Sequence, residues 1–420
     1  MLPVIDLDKY TQTLGLRLDK INVGQVNYIK SLNGILQKAD FGTVKHYLAT
    51  RAISGAAPYL SKAFVDANFE FYSKTLSGIK EQRPRWKRIT AVVENYLGEP
   101  VGQIYVKKYF PESSKKRMIQ LVDNLKLALK ERIAANTWMQ DSTKQKSYEK
   151  LDAFTVKIGY PDKWRDYSGL DIDRSKSYYE NVEAASKFET AYELSKIGKP
   201  VDKSEWHMNP QTVNAYYNPT TNEICFPAGI LQPPFFNAKA DDAVNYGAIG
   251  VVIGHEMSHG FDDQGRNYDK EGNLVNWWSK ADDENFKART QILVDWFNGI
   301  EVIKGTFANG KFTLGENIAD NGGVNISFVA MQKAIKEGQV NGGEMDGYSA
   351  AERFFISYAQ VWAGNVRDEE IVRLTKEDPH SLGRWRVNAT LPHINAFAET
   401  YKLKEGNKMY LAPEKRALIW

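Results

Sequence analysis

The sequence predicts an α+β protein that is predominantly α-helical and contains one small β-sheet. The first observation is the spacing of apolar residues at one-turn intervals, as in residues 121–130, which is typical of amphipathic helices. The second is a pair of short strand patterns, Val213–Tyr217 and Glu223–Phe226, on either side of a turn at Asn218–Thr221. A length of 420 residues is the third, because chains of this size usually divide into two or more domains.

The predicted elements divide the chain near residue 200. Prolines interrupt the helical spacing of residues 1–200, which we predict to form a mainly helical lobe. Gly198-Lys199-Pro200 then precedes the first strand pattern, and residues 201–420 are predicted to form the second lobe. Helices dominate this lobe after the two strands, and we predict them over about residues 242–261, 280–297, from 316 onward and 349–362.

The segment His255-Glu256-Met257-Ser258-His259 has the HExxH pattern of zinc hydrolases. On a helix the two histidines lie one turn apart on the same face, so both imidazoles can bind one metal ion while Glu256 lies beside a metal-bound water. The apolar run Gly247–Gly254 before the motif predicts a buried helix, in which polar side chains need compensating partners. The alternative is a surface helix with incidental histidines, which the apolar run disfavours.

A third ligand has to come from another part of the chain, because catalytic zinc usually has three protein ligands and one open position. Glu316 is the candidate ligand, and Asp320, four residues later, could accept the free ring N–H of a ligand histidine. Asp262, three residues after His259, is a second candidate for that supporting role. Spacing alone leaves Glu316 equally open to interpretation as an ordinary acid in the first turn of a helix. The predicted cofactor is one Zn²⁺ per chain.

The HExxH segment and the later Gly315–Asp320 segment together resemble the neprilysin and endothelin-converting-enzyme family of zinc endopeptidases, including its bacterial oligopeptidases. The resemblance is dense over residues 200–420 and looser before them. It implies a two-lobed zincin fold with a small β-sheet beside the helix that carries the HExxH motif, which we call the zinc helix. It also implies oligopeptide substrates that are cleaved on the amino side of bulky apolar residues. Further segments that carry it are Phe154–Pro161, Val213–Tyr217, Phe226–Phe236, Gly260–Arg266, Ala359–Trp362 and His380–Val387.

The resemblance implies catalytic roles for two residues. Glu256 would be the general base, which takes a proton from the zinc-bound water and later delivers it to the leaving amine. His380 would stabilise the negative charge on the carbonyl oxygen, and Asp378 would keep its imidazole protonated. Without the resemblance, His380 is better interpreted as a loop histidine.

The resemblance also implies a substrate-binding surface. Asn214 and Ala215 would pair with an extended peptide, as in strand addition. Arg386 would hydrogen-bond the substrate backbone with its planar guanidinium. Val252 and Trp362 would line the pocket just beyond the cleaved bond, although both are also plausible as core residues.

Composition excludes several other classes of protein. A net charge of +3 is too small to indicate a nucleic-acid partner, and no apolar run reaches the length of a transmembrane helix. Cys225 is the only cysteine, so an internal disulfide is impossible. Residues 1–8 lack the basic and apolar regions of a secretory signal. We therefore expect a soluble protein, cytoplasmic as the chain stands, or periplasmic or extracellular if a signal peptide lay in a missing N-terminal part.

The resemblance carries one further expectation, because chains of that family are considerably longer. The N-terminal third of the family pattern, which contributes to a cap over the active-site cavity, is expected to be absent. A missing segment or a partner chain would then complete the cavity. Two other functions remain open at this point: a zinc hydrolase of another bond, and a catalytically silent peptide-binding module.

Overall fold

A computed structural model describes residues 5–420 of the chain, so the first four residues considered for a secretory signal lie outside the described residues. The chain forms two compact units. One consists of the residues up to Gln82 together with Leu170–Lys187, and the other of Arg83–Gly169 and Phe188–Trp420. The predicted division near residue 200 stays a prediction, and several helices from before it lie in the same unit as the zinc helix.

The first unit is helical and buries few side chains. Asp6 and Asp40 cap the first and third helices by accepting the backbone N–H of Lys9 and Thr43, which would otherwise have no partner within the helix. Only Ala57 is buried among the described residues up to 82. The helices that begin in this unit are α1 (Leu7–Thr13), α2 (Val26–Lys38), α3 (Phe41–Ala56), α4 (Lys62–Asn68), which continues into a π-helical turn at Phe69–Thr75, and a later helix at Tyr178–Ser195.

The second unit contains the remaining helices, which confirm the predicted helical character of the chain. Four of them precede the helix at Tyr178–Ser195, which is numbered α9, and eight follow it. They are α5 (Arg85–Tyr96), α6 (Gly98–Tyr109), α7 (Glu112–Ala135), α8 (Asp141–Asp152), α10 (Asp242–Asn245), α11 (Val251–His259), α12 (Lys280–Asn298), α13 (Leu314–Lys336), α14 (Ala350–Val361), α15 (Asp368–Glu377), α16 (Gly383–Asn388) and α17 (Asn395–Thr400).

The core of the second unit forms around α7, α11 and α13. Helix α7 has buried side chains at one-turn spacing, and they include Leu121, Leu125 and Leu129, which confirms the helix predicted over residues 121–130. Met257 of α11 and Met331 of α13 belong to the same hydrophobic cluster. The zinc helix is therefore held on more than one side by apolar contacts. Among residues 5–420, no helix combines the length and apolar character needed to cross a bilayer.

A three-stranded sheet lies beside the zinc helix, as predicted. Strand β1 (Thr155–Gly159) pairs in parallel with β3 (Glu223–Pro227), which pairs antiparallel with the edge strand β2 (Tyr216–Asn218). All five residues of the central strand are buried, including Cys225, whose thiol pKa is raised by burial. A separate two-stranded ribbon contains β4 (Glu301–Ile303) and β5 (Thr306–Phe307).

The edge strand begins later than predicted. The sequence predicted a strand over Val213–Tyr217, whereas pairing starts at Tyr216, opposite Cys225. In an antiparallel register, residues before Tyr216 would face the end of β3, where Pro227 has no N–H to donate. Asn214 and Ala215 therefore precede the strand.

The zinc helix also departs from the single helix predicted over residues 242–261. A π-helical turn, Tyr246–Gly250, separates α10 from α11. Ser327 of α13 donates its hydroxyl to the carbonyl oxygen of Tyr246 at 2.7 Å, so a side chain from outside enters the hydrogen-bond ladder. The last turn ends at His259, two residues earlier than predicted.

Candidate active site

The metal-binding residues come together because α11 and α13 pack unusually closely. Gly254 of α11 faces Gly323 of α13, and a Cβ added at Gly323 would lie 2.6 Å from the carbonyl oxygen of Val251. A side chain at this position would therefore force the two helices apart. The close approach brings the first turns of α13, with Glu316 and Asp320, beside the histidines of α11.

The Nε2 atoms of His255 and His259 lie 3.0 Å apart and face one point. Glu316 approaches the same point, with one carboxylate oxygen 3.3 Å from Nε2 of His255 and the other 3.6 Å from Nε2 of His259. Glu256 also contributes, since one ligand atom each from it and from the two histidines lie within 4.8 Å of one another. The structure thus brings together the three predicted ligands and the predicted base.

The donor set fits a zinc ion. Two imidazole nitrogens and one carboxylate oxygen form a ligand combination that zinc takes in catalytic sites. The Oε2 atom of Glu316 is buried and accepts no hydrogen bond from residues 5–420, which is costly for a carboxylate unless a cation compensates it. His255, His259 and Glu316 are therefore the residues that would hold the metal.

Each histidine has its own aspartate partner behind the metal position. Nδ1 of His255 lies 2.9 Å from Asp320, and Nδ1 of His259 lies 2.6 Å from Asp262. Such a bond places the proton on Nδ1 and leaves Nε2 free to bind a metal. The sequence offered Asp320 and Asp262 as alternatives for one supporting role, whereas the structure places one aspartate beside each ring.

The electrostatics of this cluster follow from burial and from its opposite charges. Burial lowers the pKa of His255, but the hydrogen bond to Asp320 and the negative charge of Glu316 outweigh this effect and raise the pKa to about 10. Burial raises the pKa of Glu316, yet the histidines beside it lower that pKa well below the usual range of a carboxyl group. The pKa of Glu256 is raised, chiefly by burial, and the neighbouring histidines oppose the shift. A raised pKa makes a carboxylate a stronger base.

Arg386 has partners that the sequence did not reveal. Its Nε and Nη2 donate to the two oxygens of Asp320 at 2.8 and 2.6 Å, and its guanidinium carbon lies 3.9 Å from the ring centroid of Trp362. The side chain is buried and also lines the cleft. Arg386 therefore fixes the aspartate that orients His255 while its remaining surface faces the cavity.

His380 and Asp378 form a pair at the rim of the metal position. Nδ1 of His380 lies 2.7 Å from Asp378, whose same oxygen accepts the backbone N–H of His380 at 2.9 Å. Nε2 of His380 lies 3.3 Å from Glu316. The His380 side chain is 48% exposed, so its ring can meet a ligand in the cleft.

A cavity of about 470 Å³ opens directly onto the metal position. Its wall also contains Tyr358, which the sequence did not indicate and whose hydroxyl donates to the carbonyl oxygen of Arg386 at 2.7 Å. Tyr358 lies one turn before Trp362, but a buried aromatic at helical spacing is indistinguishable from core in the sequence. The predicted substrate-binding residues that line the cavity are Asn214, Ala215, Val252, Trp362 and Arg386.

Comparisons with known proteins agree with this geometry. Residues 214–417 match the sequence model of peptidase family M13, and residues 1–161 match the N-terminal model of the same family. Neprilysin-11 of Caenorhabditis elegans is 37% identical over 414 residues, which are 96% of this chain and 48% of that protein. Endothelin-converting enzyme 1 of Rattus norvegicus is 35% identical over 412 residues, covering 96% of this chain and 53% of that protein.

Solved structures show the same likeness. Zinc metalloprotease ZMP1 of Mycobacterium tuberculosis in complex with an inhibitor has a TM-score of 0.89 at 42% identity, and the match covers 94% of this chain and 60% of that one. PepO from Lactobacillus rhamnosis has a TM-score of 0.80 at 32% identity, covering 87% of this chain and 56% of that one.

The comparisons correct one expectation. The N-terminal part of the family pattern was expected to be absent, but it is represented here by residues 1–161. The chain nevertheless spans about half the length of the curated relatives that it matches. Because the two family matches together extend over most of the chain and the match over residues 214–417 contains the paired histidines, Glu316 and their aspartate partners, the protein belongs to peptidase family M13.

Proposed function

We propose that the protein is a zinc-dependent endopeptidase that hydrolyses oligopeptides and binds one Zn²⁺ per chain. The observation that carries this proposal is the convergence of Nε2 of His255, Nε2 of His259 and the Glu316 carboxylate on one point at separations of 3.0 to 3.6 Å. Family membership supports it, as does the cavity that opens onto the same point.

The chemistry divides between the metal and the side chains of the chain. When bound, zinc polarises the scissile carbonyl and lowers the pKa of a water molecule. Glu256 accepts a proton from that water and later delivers it to the leaving amine. His380 donates from Nε2 to the carbonyl oxygen as negative charge develops there, while Asp378 holds its Nδ1 proton.

The substrate would bind as an additional strand. Strand β2 pairs with β3 on one side, so an extended peptide can align with its other side and continue along Asn214 and Ala215. Arg386, held in place by Asp320, would donate from the cavity wall to a substrate carbonyl. These contacts recognise peptide backbone, which favours a peptidase over a hydrolase of another bond.

The test uses a quenched fluorescent peptide with an apolar residue after its central bond, incubated with zinc-loaded protein. We expect cleavage at that bond, and Glu256→Gln should reduce kcat by about 10²- to 10⁴-fold while zinc stays bound, since a general base typically contributes this much. Glu271→Gln is the matched control, because it makes the same chemical change at an exposed residue.

The outcomes separate the candidate functions. Equal rates for Glu256→Gln and wild type would contradict the assigned base. Zinc-loaded, folded wild-type protein that binds the peptide without cleaving it would instead support the silent peptide-binding module.

The residues of the cavity wall support a preference for bulky apolar residues after the cleaved bond. Val252 and Trp362 line it together with Ile230 and Phe235, so a large apolar side chain would bury area there at about 25 cal/mol per Å². Peptides with Phe, Leu, Ala or Asp after the cleaved bond should rank in that order by kcat/KM. Val252→Phe should selectively reduce cleavage of the Phe peptide by filling the pocket. A variant that lowered all four rates equally would argue against this pocket.

A further inference from the structure

Lys150, near the end of α8, is a buried lysine whose hydrogen-bond acceptors are backbone carbonyls. Only 1% of the residue is exposed. Its Nζ donates to the carbonyl oxygens of Gly260, Gly265 and Tyr268, each at 2.7 Å. Three acceptors match the three N–H donors of an ammonium group. Lys157, another buried lysine of this unit, has a carboxylate partner, Glu223, at 2.8 Å in addition to the carbonyl oxygen of Glu205.

The three carbonyls belong to the turn that follows the zinc helix, and this turn carries Asp262. One oxygen of Asp262 accepts the backbone N–H of Gln264 at 2.9 Å and that of Gly265 at 2.6 Å, while the other lies 2.6 Å from Nδ1 of His259. Gly265 is therefore bound from both sides, through its N–H by Asp262 and through its carbonyl by Lys150.

The turn has little room to adopt another conformation. A Cβ added at Gly265 would lie 1.7 Å from the carbonyl oxygen of His259, so the chain folds back tightly against the end of α11. Gly260 is the first residue after that helix, and its carbonyl is one of those left without a helical partner. A positive charge at this point also stabilises the negative end of the helix dipole.

Burial of a lysine at this position has a free-energy cost. Burial lowers the pKa of Lys150 to about 7, and the negative charges of Asp262 and Asp269 oppose the shift. An apolar side chain would avoid the cost of burying a charge, but it could not hold three carbonyls. The rings of Tyr217, Phe261 and Trp277 surround the ammonium at 5.7 to 5.9 Å.

We propose that Lys150 is a positioning residue of the zinc site: by fixing the three carbonyls of the turn, it holds Asp262 against His259 and so orients this ligand ring. The proposal rests on the proposed zinc-binding role of His259. The other ligand histidine has separate support, because His255 is held by Asp320, which Arg386 holds in turn.

Because the two ligand histidines are held by different aspartates, double mutants can test the proposal. The quantity measured is zinc affinity, by competition with a chelator at a temperature at which all variants are folded. Lys150→Met should weaken zinc binding by about 10- to 100-fold, as for other residues that orient a metal ligand indirectly. In an Asp262→Ala background most of this loss should disappear, because the residue through which Lys150 acts is already gone. In an Asp320→Ala background the full loss should persist.

Three results would overturn the proposal. They are an unchanged zinc affinity in Lys150→Met, losses that add fully in both backgrounds, and a Co²⁺-loaded Lys150→Met protein whose visible absorption is the same as that of wild type. Lys130→Met, at a lysine whose side chain is 42% exposed, is the matched control and should leave zinc affinity unchanged.

A second variant keeps the test decisive if Lys150→Met does not fold. Lys150→Gln offers two N–H donors for the three carbonyls, so it should lose part of the zinc affinity. Wild-type zinc affinity in this variant would contradict the proposal.

Two results on the wild-type protein separate this proposal from the proposed function. Wild-type protein that binds zinc but cleaves no peptide would overturn the proposed function alone. Wild-type protein that takes up no zinc would overturn both.

Discussion

At the scale of single residues, the site consists of pairs in which one side chain meets the metal position and another fixes it from behind. Asp320 orients His255, and Arg386 fixes Asp320 through two charge-assisted hydrogen bonds. Such bonds are short and strong because both partners are ionised, so each member limits the movement of the next. The position of His255 therefore depends on a residue 131 positions later in the chain.

His393 gives a residue-scale prediction of acid sensitivity. It is fully buried, accepts the backbone N–H of Ala417 at 3.0 Å, and has its pKa lowered from 6.5 to about 4 by burial and by Arg416. Between these two pH values the unfolded chain binds a proton that the folded protein does not. The free energy of unfolding should therefore fall as the pH decreases from 6.5 to about 4, by roughly 2–3 kcal/mol from this group.

The measurement is urea denaturation at several pH values for wild type and His393→Asn, whose amide oxygen can replace the Nδ1 acceptor. The variant is expected to be less stable at pH 8 and to lose less stability on acidification. Parallel pH dependences would show that His393 does not bind a proton on unfolding in this range.

The metal-site residues that spacing identified share a local pattern, whereas the contacts that hold them in place do not. His255, Glu256 and His259 are recognisable because one helical turn relates them, and Glu316 and Asp320 have the same spacing. The bonds between Arg386 and Asp320 join residues 66 positions apart, and Lys150 meets its carbonyls more than 100 positions away. Only the fold creates these contacts, so no spacing rule could indicate them.

At the scale of elements, the crossing of α11 and α13 determines whether the ligands meet. The two helices touch through Gly254 and Gly323, and the ligands lie within two turns of that contact. The sequence predicted that the apolar run before the HExxH motif forms a buried helix, but it could not identify the partner helix. It was wrong about the start of the edge strand, because the missing N–H of Pro227 acts across the sheet rather than along the chain.

Gly323→Ala should separate these helices. The added Cβ would lie 2.8 Å from the backbone nitrogen of His255, and overpacking of this kind typically costs about 1–3 kcal/mol. We expect a lower free energy of unfolding in the zinc-free protein and, in addition, weaker zinc binding. Chemical denaturation and chelator competition would measure the two effects separately.

Gly55→Ala is the control for this substitution. Gly55 lies in α3, and an added Cβ there meets no atom within 4 Å, so alanine should slightly stabilise the helix. If Gly323→Ala bound zinc as tightly as wild type, the close helix contact would be unnecessary for the site.

At the scale of the whole molecule, the two compact units differ in how they are stabilised. The second unit contains the large hydrophobic cluster and all the predicted metal ligands, whereas few side chains are buried in the first. The helical α+β class was predictable because periodic patterns indicate secondary structure, whereas the place of the sheet beside the zinc helix was implied by the family resemblance. The division into units was not, because it depends on a chain segment, Leu170–Lys187, that is distant in sequence from the rest of its unit.

Zinc should therefore stabilise one unit selectively. A ligand that binds only the folded state adds about 4 kcal/mol of stability at a free concentration of 1,000 times its Kd. In differential scanning calorimetry, chelation of zinc should lower the Tm of the transition that belongs to the second unit and leave the other transition in place. A uniform shift of the whole thermogram, or none, would contradict a metal site confined to the second unit.

The burial of Cys225 in the central strand has a practical consequence for attaching fluorescent dyes to the cleft. A thiol that is inaccessible and resistant to deprotonation reacts slowly with maleimide dyes. Two cysteines introduced at exposed positions on opposite walls of the cleft could then be labelled without altering the native sequence elsewhere. Single-molecule energy transfer between the dyes would then measure whether the width of the cleft changes on the microsecond-to-millisecond scale typical of loop and domain motions in enzymes.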